Sequence, residues 1–314
     1  MNSSSLNFTV SSSLTYRDSP SSAVAKNVII VALGITINYI NGTLIHTFRK
    51  HQIFYMNPRY ILFIHLVVND MIQLTTSISL FVFSYIFYRI STSFCCFIVT
   101  FAVFTTVNSP LNLALMAVEC YIAVCFPLRH AELCTIKRTY FLIGCIWGLS
   151  AATVLPDIVL ILATEPLWLF NSTVFCERDT VFRHPISIKK RDVSYIIFLS
   201  GVWLTLLFTY LRIFCAAHAA NSADGMAKAR NTILIHGFQL LLCMLTYVTP
   251  LAKMFLVFLP IAQYVQAYFF WYILIQILPR LVSPIVYGVR DSTFRQYLKK
   301  YLLCSIGEVN KLHP

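Results

Sequence analysis

Seven apolar runs, each long enough to cross a bilayer, constrain this chain most. They cover about 24–48, 60–87, 93–126, 140–162, 193–217, 233–259 and 264–287. A spanning helix needs roughly 20 apolar residues, because in lipid each backbone amide must find its partner within its own segment. A soluble fold of this size would need a polar shell. The composition does not supply one: 58% of the 314 residues are hydrophobic, 11% are charged, and mean hydropathy is +0.73. The second and third runs are long enough to tilt or protrude. Pro279 and Pro284 lie inside the seventh, where neighbouring helices can re-satisfy the carbonyls they free. The expected fold is an all-α membrane protein, a seven-transmembrane helix bundle followed by a short amphipathic C-terminal helix.

Three regions follow from these runs. Residues 1–23 form an extracellular, glycosylated N-terminus, 24–288 the transmembrane domain, and 289–314 a cytoplasmic tail. The N-terminus is Ser-rich and has no apolar signal-peptide core, so the first span is expected to serve as the internal signal. Asn2, Asn7 and Asn171 each begin an N-glycosylation triplet in a segment placed outside. Asn41-Gly42-Thr43 has the same pattern but lies inside a span and is discounted. Most Lys and Arg residues fall in segments that are cytoplasmic when the N-terminus is outside, although the outer run Lys189-Lys190-Arg191 dilutes the bias. The net charge of +12 is explained first by membrane topology, so nucleic acid is not an expected partner. In the tail, Phe294, Tyr297, Leu298, Tyr301 and Leu302 share one face between Arg295, Lys299 and Lys300, which suits an anionic inner leaflet. Cys304, just beyond, is a candidate for palmitoylation.

No catalytic pattern is present: there is no G-x-S-x-G, HExxH or phosphate loop. The ten cysteines show no metal-ligand spacing, so no metal site, cofactor or enzymatic activity is expected.

The stretch Met116–His130 reads MAVECYIAVCFPLRH. It resembles the MAxDRYxAxCxPLxY signature of odorant receptors, a branch of the rhodopsin-like G-protein-coupled receptors. Met116, Ala117, Tyr121, Ala123, Cys125, Pro127 and Leu128 are in register, while Cys120 stands where the family has Arg. Other motifs agree along nearly the whole chain. Pro58 and Tyr60 match the family's PMYFFL stretch, and Leu66 and Asp70 its second-span pair. Tyr210 with Ile213 resembles SYxxI, and Lys228-Ala229 with His236 resembles KAxxTCxxHL. Ser283-Pro284 with Tyr287 resembles NPxxY. The departures, including Cys243-Met244 where mammalian members have FYG, resemble fish odorant receptors more than mammalian ones.

The resemblance implies a disulfide from the top of the third span to the second outer loop. Cys95 with Cys176 is the expected pair, and Cys96 is the competitor. It also implies a ligand pocket between spans 3, 5, 6 and 7, with Ala102, Thr105, Thr106, Ser194, Tyr195, Phe198, Tyr247, Leu251 and Gln276 as candidates. Lys253 is placed near the outer end of the sixth span, where it either attracts an anionic ligand or snorkels to the surface. The implied partners are a small-molecule odorant, a Gs-like heterotrimeric G protein acting through cyclic AMP, and the lipid bilayer. The implied location is the plasma membrane of olfactory cilia.

Coupling is assigned to Glu119, Cys120, Tyr121, Arg129, Tyr210, Lys228, Pro284 and Tyr287. Cys120 has none of a guanidinium's charge or donors, so Glu119 needs another partner, and Arg129 and Arg212 lie near the same membrane face. Asp70 and Arg280 each lie about 15 Å inside the inner membrane edge. Charges at that depth are normally partnered. Rhodopsin-like receptors commonly place a sodium ion against this Asp; here Arg280 is expected to pair with Asp70 in its place, with Asn41, Asn69 and Ser109 completing the network. A rhodopsin-like receptor for another small ligand and a transporter are the alternatives. Ala102 in the register of the amine-receptor acid argues against an amine ligand. The seventh span lacks the Lys that retinal needs, and no repeat halves suggest a transporter.

Overall fold

The computed structural model describes residues 19–219 except 88 and 175. It also describes 237–283 except 239, 240, 243, 246, 247, 250, 251, 253, 254 and 257, and then 296–297. Five long helices cover the first five expected spans: α1 (Pro20–Lys50), α2 (Pro58–Ile86), α3 (Thr92–Cys125), α5 (Ile136–Thr164) and α8 (Pro185–Ala219). The short α4 (Pro127–Leu133) lies in the second inner loop, and α6 (Leu167–Phe170) and α7 (Arg178–Val181) lie in the second outer loop. The seventh span is α9 (Ile261–Tyr272), continued by a π turn over Ile273–Ile277 and helix to Ser283. Among the described residues, six helices are long and apolar enough to cross a membrane. Within the sixth span, every described residue from 237 to 256 is helical.

Local chemistry sets the helix ends. Ser19 accepts from the Ser22 amide at 3.3 Å and Pro20 opens α1, since a first-turn proline gives up no needed donor. Asn57 caps α2 through the Arg59 amide at 3.1 Å, again just before a proline. Pro127 ends α3 at Phe126 and starts α4, which turns the chain back beneath α3.

The helix α3 is the hub and packs against α2, α5 and α8, while α1 lies on α2. A Cβ at Gly34 would run into Ile78, so the glycine permits that close α1–α2 approach. The inner core gathers Leu44, Phe54, Leu62, Leu66, Leu113 and Met116. Tyr297 of the tail belongs to it, with its ring 4.1 Å from that of His51. Tyr297 therefore meets the first inner loop. The rest of the expected amphipathic helix lies outside the described residues.

One boundary differs in a way that affects the site. The fifth span begins at Pro185 rather than 193, so Lys189-Lys190-Arg191 is helical and not loop. Proline is favoured at a helix start, and Lys190 finds an acid to face. The second outer loop also adds a strand, β2 (Thr173–Val174), antiparallel to β1 (Ile90–Ser91), with Ile90 opposite Val174.

Candidate functional site

A buried polar layer ties α2, α3 and the seventh span together. Asn69 donates to the Thr105 carbonyl at 3.0 Å and to Ser109 Oγ at 2.8 Å. Ser109 in turn donates to Asp70 Oδ1 at 3.1 Å. Asn108 reaches Asn69 Oδ1 at 3.4 Å and accepts from Ser150 of α5 at 2.6 Å. Ser283 adds a hydrogen bond to Asp70 from the seventh span. Asp70 and Arg280 are both about 3% exposed. Burial on this scale in lipid is tolerable only because each polar group is met by another.

Arg280 interacts electrostatically with Asp70, but no direct ion pair joins them. Its guanidinium donates instead to the Ile275 carbonyl. In a regular helix residue 279 would bond that carbonyl, but Pro279 has no N–H to offer. The expected Asp70–Arg280 contact is therefore replaced by a through-space interaction, because the proline-broken ladder claims the arginine. The guanidinium beside Asp70 already brings positive charge to this layer, so the residues do not fit a resident sodium ion. Asn41 is fully buried but, among the described residues, its side chain meets no hydrogen-bond partner, and it stands apart from the layer.

At the inner end, Glu119 is buried and His130 Nε2 lies 2.9 Å from its Oε1. The partner is neither Arg129 nor Arg212, both of which are exposed. The turn of α4 carries His130 back under α3 while Arg129 points outward. Cys120 is half-buried, and Tyr121 packs edge-on against Phe126 and Phe208, each at 5.7 Å. Tyr210 is half-buried on α8 against the inner core. Cys134 lies close enough to Glu119 to feel its charge; burial first, and then that carboxylate, push its thiol pKa upward. Lys228, Pro284, Tyr287 and Cys304 lie outside the described residues.

At the outer end, Cys95 of α3 is disulfide-bonded to Cys176 with a Cα–Cα distance of 5.5 Å, while Cys96 remains a thiol. Thr92 fixes the loop further, with its amide 2.9 Å and its hydroxyl 3.0 Å from the Ser172 carbonyl. Beneath it is a charged cluster that the sequence reading overlooked. Asp157 of α5 is about 3% exposed. Lys190 Nζ lies 2.6 Å from its Oδ1 and also donates to the Thr153 carbonyl at 2.7 Å. Arg178 Nη2 is 4.0 Å from Asp157 Oδ2, and Nη1 is 3.4 Å from the Tyr195 hydroxyl. The signal was available: Asp157 is an acid inside an apolar run, the same cue that singled out Asp70. Nearer the surface, Arg183 forks onto Glu165, with Nε 2.9 Å from Oε1, and this hydrogen bond holds the Glu165 pKa below its ordinary value.

The pocket candidates separate by neighbour. Thr106 accepts from Gln73 of α2 at 2.7 Å and donates to the Ala102 carbonyl, which turns it toward α2. Thr105 is buried and bonds its own helix at Phe101. Gln276 accepts from Ser77 at 3.4 Å. Ala102, Ser194, Tyr195 and Phe198 are half-buried on α3 and α8, with Tyr195 on the apolar cluster that continues down to the inner core. Tyr247, Leu251 and Lys253 lie outside the described residues, as do Asn2 and Asn7. Asn171 is exposed at the end of α6.

Apolar spans gathered round α3, a polar layer at mid-bundle and a disulfide-tethered outer loop are the architecture of a seven-helix membrane receptor. Residues 40–287 match the 7 transmembrane receptor (rhodopsin family). Odorant receptor 131-2 of Danio rerio is 30% identical over 278 residues, 88% of this chain and 85% of its own. Olfactory receptor 2T6 of Homo sapiens is 25% identical over 77% of this chain and 80% of its own. Olfactory receptor 52A1 of Homo sapiens is 27% identical over 62% and 63%. The chain belongs to the odorant receptors of the rhodopsin family, a family of multi-pass membrane receptors that act through G proteins.

Proposed function

We propose that this receptor binds a small odorant from outside and activates a Gs-like G protein, raising cyclic AMP. The observation that carries this reading is the 30% identity to a Danio rerio odorant receptor across 88% of the chain. The N-terminus faces out, with Asn2, Asn7 and Asn171 as sugar acceptors, and the protein resides in the plasma membrane of olfactory cilia. Ligand binds between the third, fifth, sixth and seventh spans, where Ala102, Ser194, Tyr195, Phe198, Tyr247 and Leu251 line the space. Thr105, Thr106 and Gln276 bound it through the α2 contacts described above.

Binding shifts a two-state bundle. The Asp70–Ser109–Asn69 layer, with Arg280 in place of a metal ion, is the element whose rearrangement carries the shift inward. At the inner face Cys120, Tyr121, Arg129, Tyr210, Lys228, Pro284 and Tyr287 meet the G protein. The Glu119–His130 contact takes over the restraint that an arginine supplies in the family pattern. Palmitoylated Cys304 anchors the tail to the inner leaflet.

The test is cyclic AMP in cells expressing the tagged receptor, with surface staining as control, against a mixed odorant panel. A ligand-dependent rise in the natural sequence is expected. If only Cys120→Arg responds, Cys120 sets a coupling deficit. A surface-expressed receptor silent in both forms defeats the Gs-like assignment for that panel.

A further inference from the structure

Among the described side chains, two cations of the outer cluster, Lys190 and Arg178, face one acid, Asp157. Lys190 sits 2.6 Å from Asp157 and neutralises it. Arg178 is left with a contact to the same acid at 4.0 Å and a marginal bond to the Tyr195 hydroxyl at 3.4 Å. Its Nε is buried and makes no hydrogen bond. A guanidinium carries five donors, and leaving them unmet away from water is costly. The side chain is only 19% exposed, so water does not readily make up the shortfall. Nor can the group easily swing away. It lies two residues after Cys176, which is bonded to α3, and its guanidinium rests 5.6 Å from the Tyr195 ring. The neighbouring acid, Glu177, shares a capping box with Thr180 at the start of α7.

Tyr195, Ser194 and Phe198 are on the stretch of α8 already assigned to the ligand space. On that assignment the guanidinium stands at the edge of the space, against the Tyr195 ring. We propose that Arg178 recognises the ligand, and that the ligand is a small organic acid: a carboxylate on an apolar or aromatic body. This rests on the odorant reading above and names its ligand class. A carboxylate presents two oxygens that match the guanidinium fork, and meeting it would engage donors now unsatisfied. The apolar body lies along Tyr195 and Phe198. An ester of the same acid has the body without the charge and gains none of this.

Thermal melts of the purified full-length receptor in lipid nanodiscs test the proposal without any G protein. The probes are hexanoate and phenylacetate, their methyl esters, and hexylamine, each titrated at neutral pH. A ligand that binds the folded state raises the transition in proportion to its affinity. The acids should raise it and the esters and amine should not. Arg178→Gln should weaken the acids' midpoint by about tenfold or more, the scale of a lost charge-assisted hydrogen bond. Arg178→Lys keeps a charge but not the fork and should fall between.

Esters or amine matching the acids, no acid shifting the transition, or an Arg178→Gln response equal to the natural one overturns the proposal. If Arg178→Gln does not fold, the acid-against-ester comparison in the natural receptor and the Arg178→Lys midpoint still decide. The outcome separates from the signalling reading. Stabilisation by acids with no cyclic AMP response would sustain the ligand class and remove the Gs-like partner. Stabilisation and signalling by esters alone would do the reverse.

Discussion

Outside, the loop between α5 and α8 is bound to the bundle by the Cys95–Cys176 bond, the β1–β2 pairing, the Arg178–Asp157 contact and the Glu165–Arg183 fork, while the Asp157–Lys190 pair joins the two helices that flank it. Inside, the corresponding loop between α3 and α5 is α4, whose polar tie to α3 among the described residues is the Glu119–His130 contact. One end is fastened covalently and by ion pairs. The other is fastened by an imidazole–carboxylate contact. A receptor needs this asymmetry. The ligand side must be preformed to select, while the G-protein side must open at modest cost.

The sharpest way to break the comparison is at the buried acid. Asp157→Ala should destabilise the receptor by about 3–5 kcal/mol, because Lys190 and Arg178 are then left facing each other without a counter-charge. Thermal melting and surface staining read the loss. Asp157→Leu combined with Lys190→Met should recover part of it, since that pair is removed whole while Arg178 still lacks its acid. An Asp157→Ala receptor as stable as the natural one would show that the outer end does not depend on its ion pair.

An intermediate effect is expected inside. His130→Phe removes a hydrogen bond to a charged group, worth about 1.5–3 kcal/mol. If the contact restrains the inactive state, basal cyclic AMP should rise several-fold while the ligand midpoint moves little. An unchanged basal level would mean that the inner end is held by something else.

The smallest effect belongs to the exposed fork. Arg183 lowers the Glu165 pKa, so this pair's contribution is present above the ordinary carboxylate value and is lost as pH falls through the lowered one. Exposed pairs contribute at most about 1 kcal/mol. A melting series taken from neutral into acid should therefore show a slight extra loss that Glu165→Gln abolishes. An identical acid profile in that variant would remove Glu165 from the outer fastening.

The spans were legible because apolar length is a direct physical requirement of lipid. The disulfide was legible because the resemblance implied it, and Cys95 rather than Cys96 proved to hold Cys176. What was missed depends on how the chain turns. Lys189-Lys190-Arg191 reads as loop by charge alone; only the turn at Pro185 shows that Lys190 is helical and aimed at Asp157. Asp157 itself was hidden among apolar neighbours until a cation was placed opposite it. Along the chain the nearest cation to Glu119 is Arg129, but α4 folds back and presents His130. Depth alone sets Arg280 opposite Asp70, whereas the carbonyl freed by its neighbour Pro279 shows only in the folded helix.

That last detail bears on how the protein is made. The seventh span enters the membrane last, carrying an arginine whose insertion costs about 2.5–3.5 kcal/mol at mid-helix. Because the Ile275 carbonyl lies in the same segment, the guanidinium is met within its own helix before α2 brings Asp70 alongside. Proline and arginine thus enter as a matched set: the break in the ladder shelters the charge, and the charge fills the break. The segment can wait in the bilayer for its partners without carrying either defect exposed.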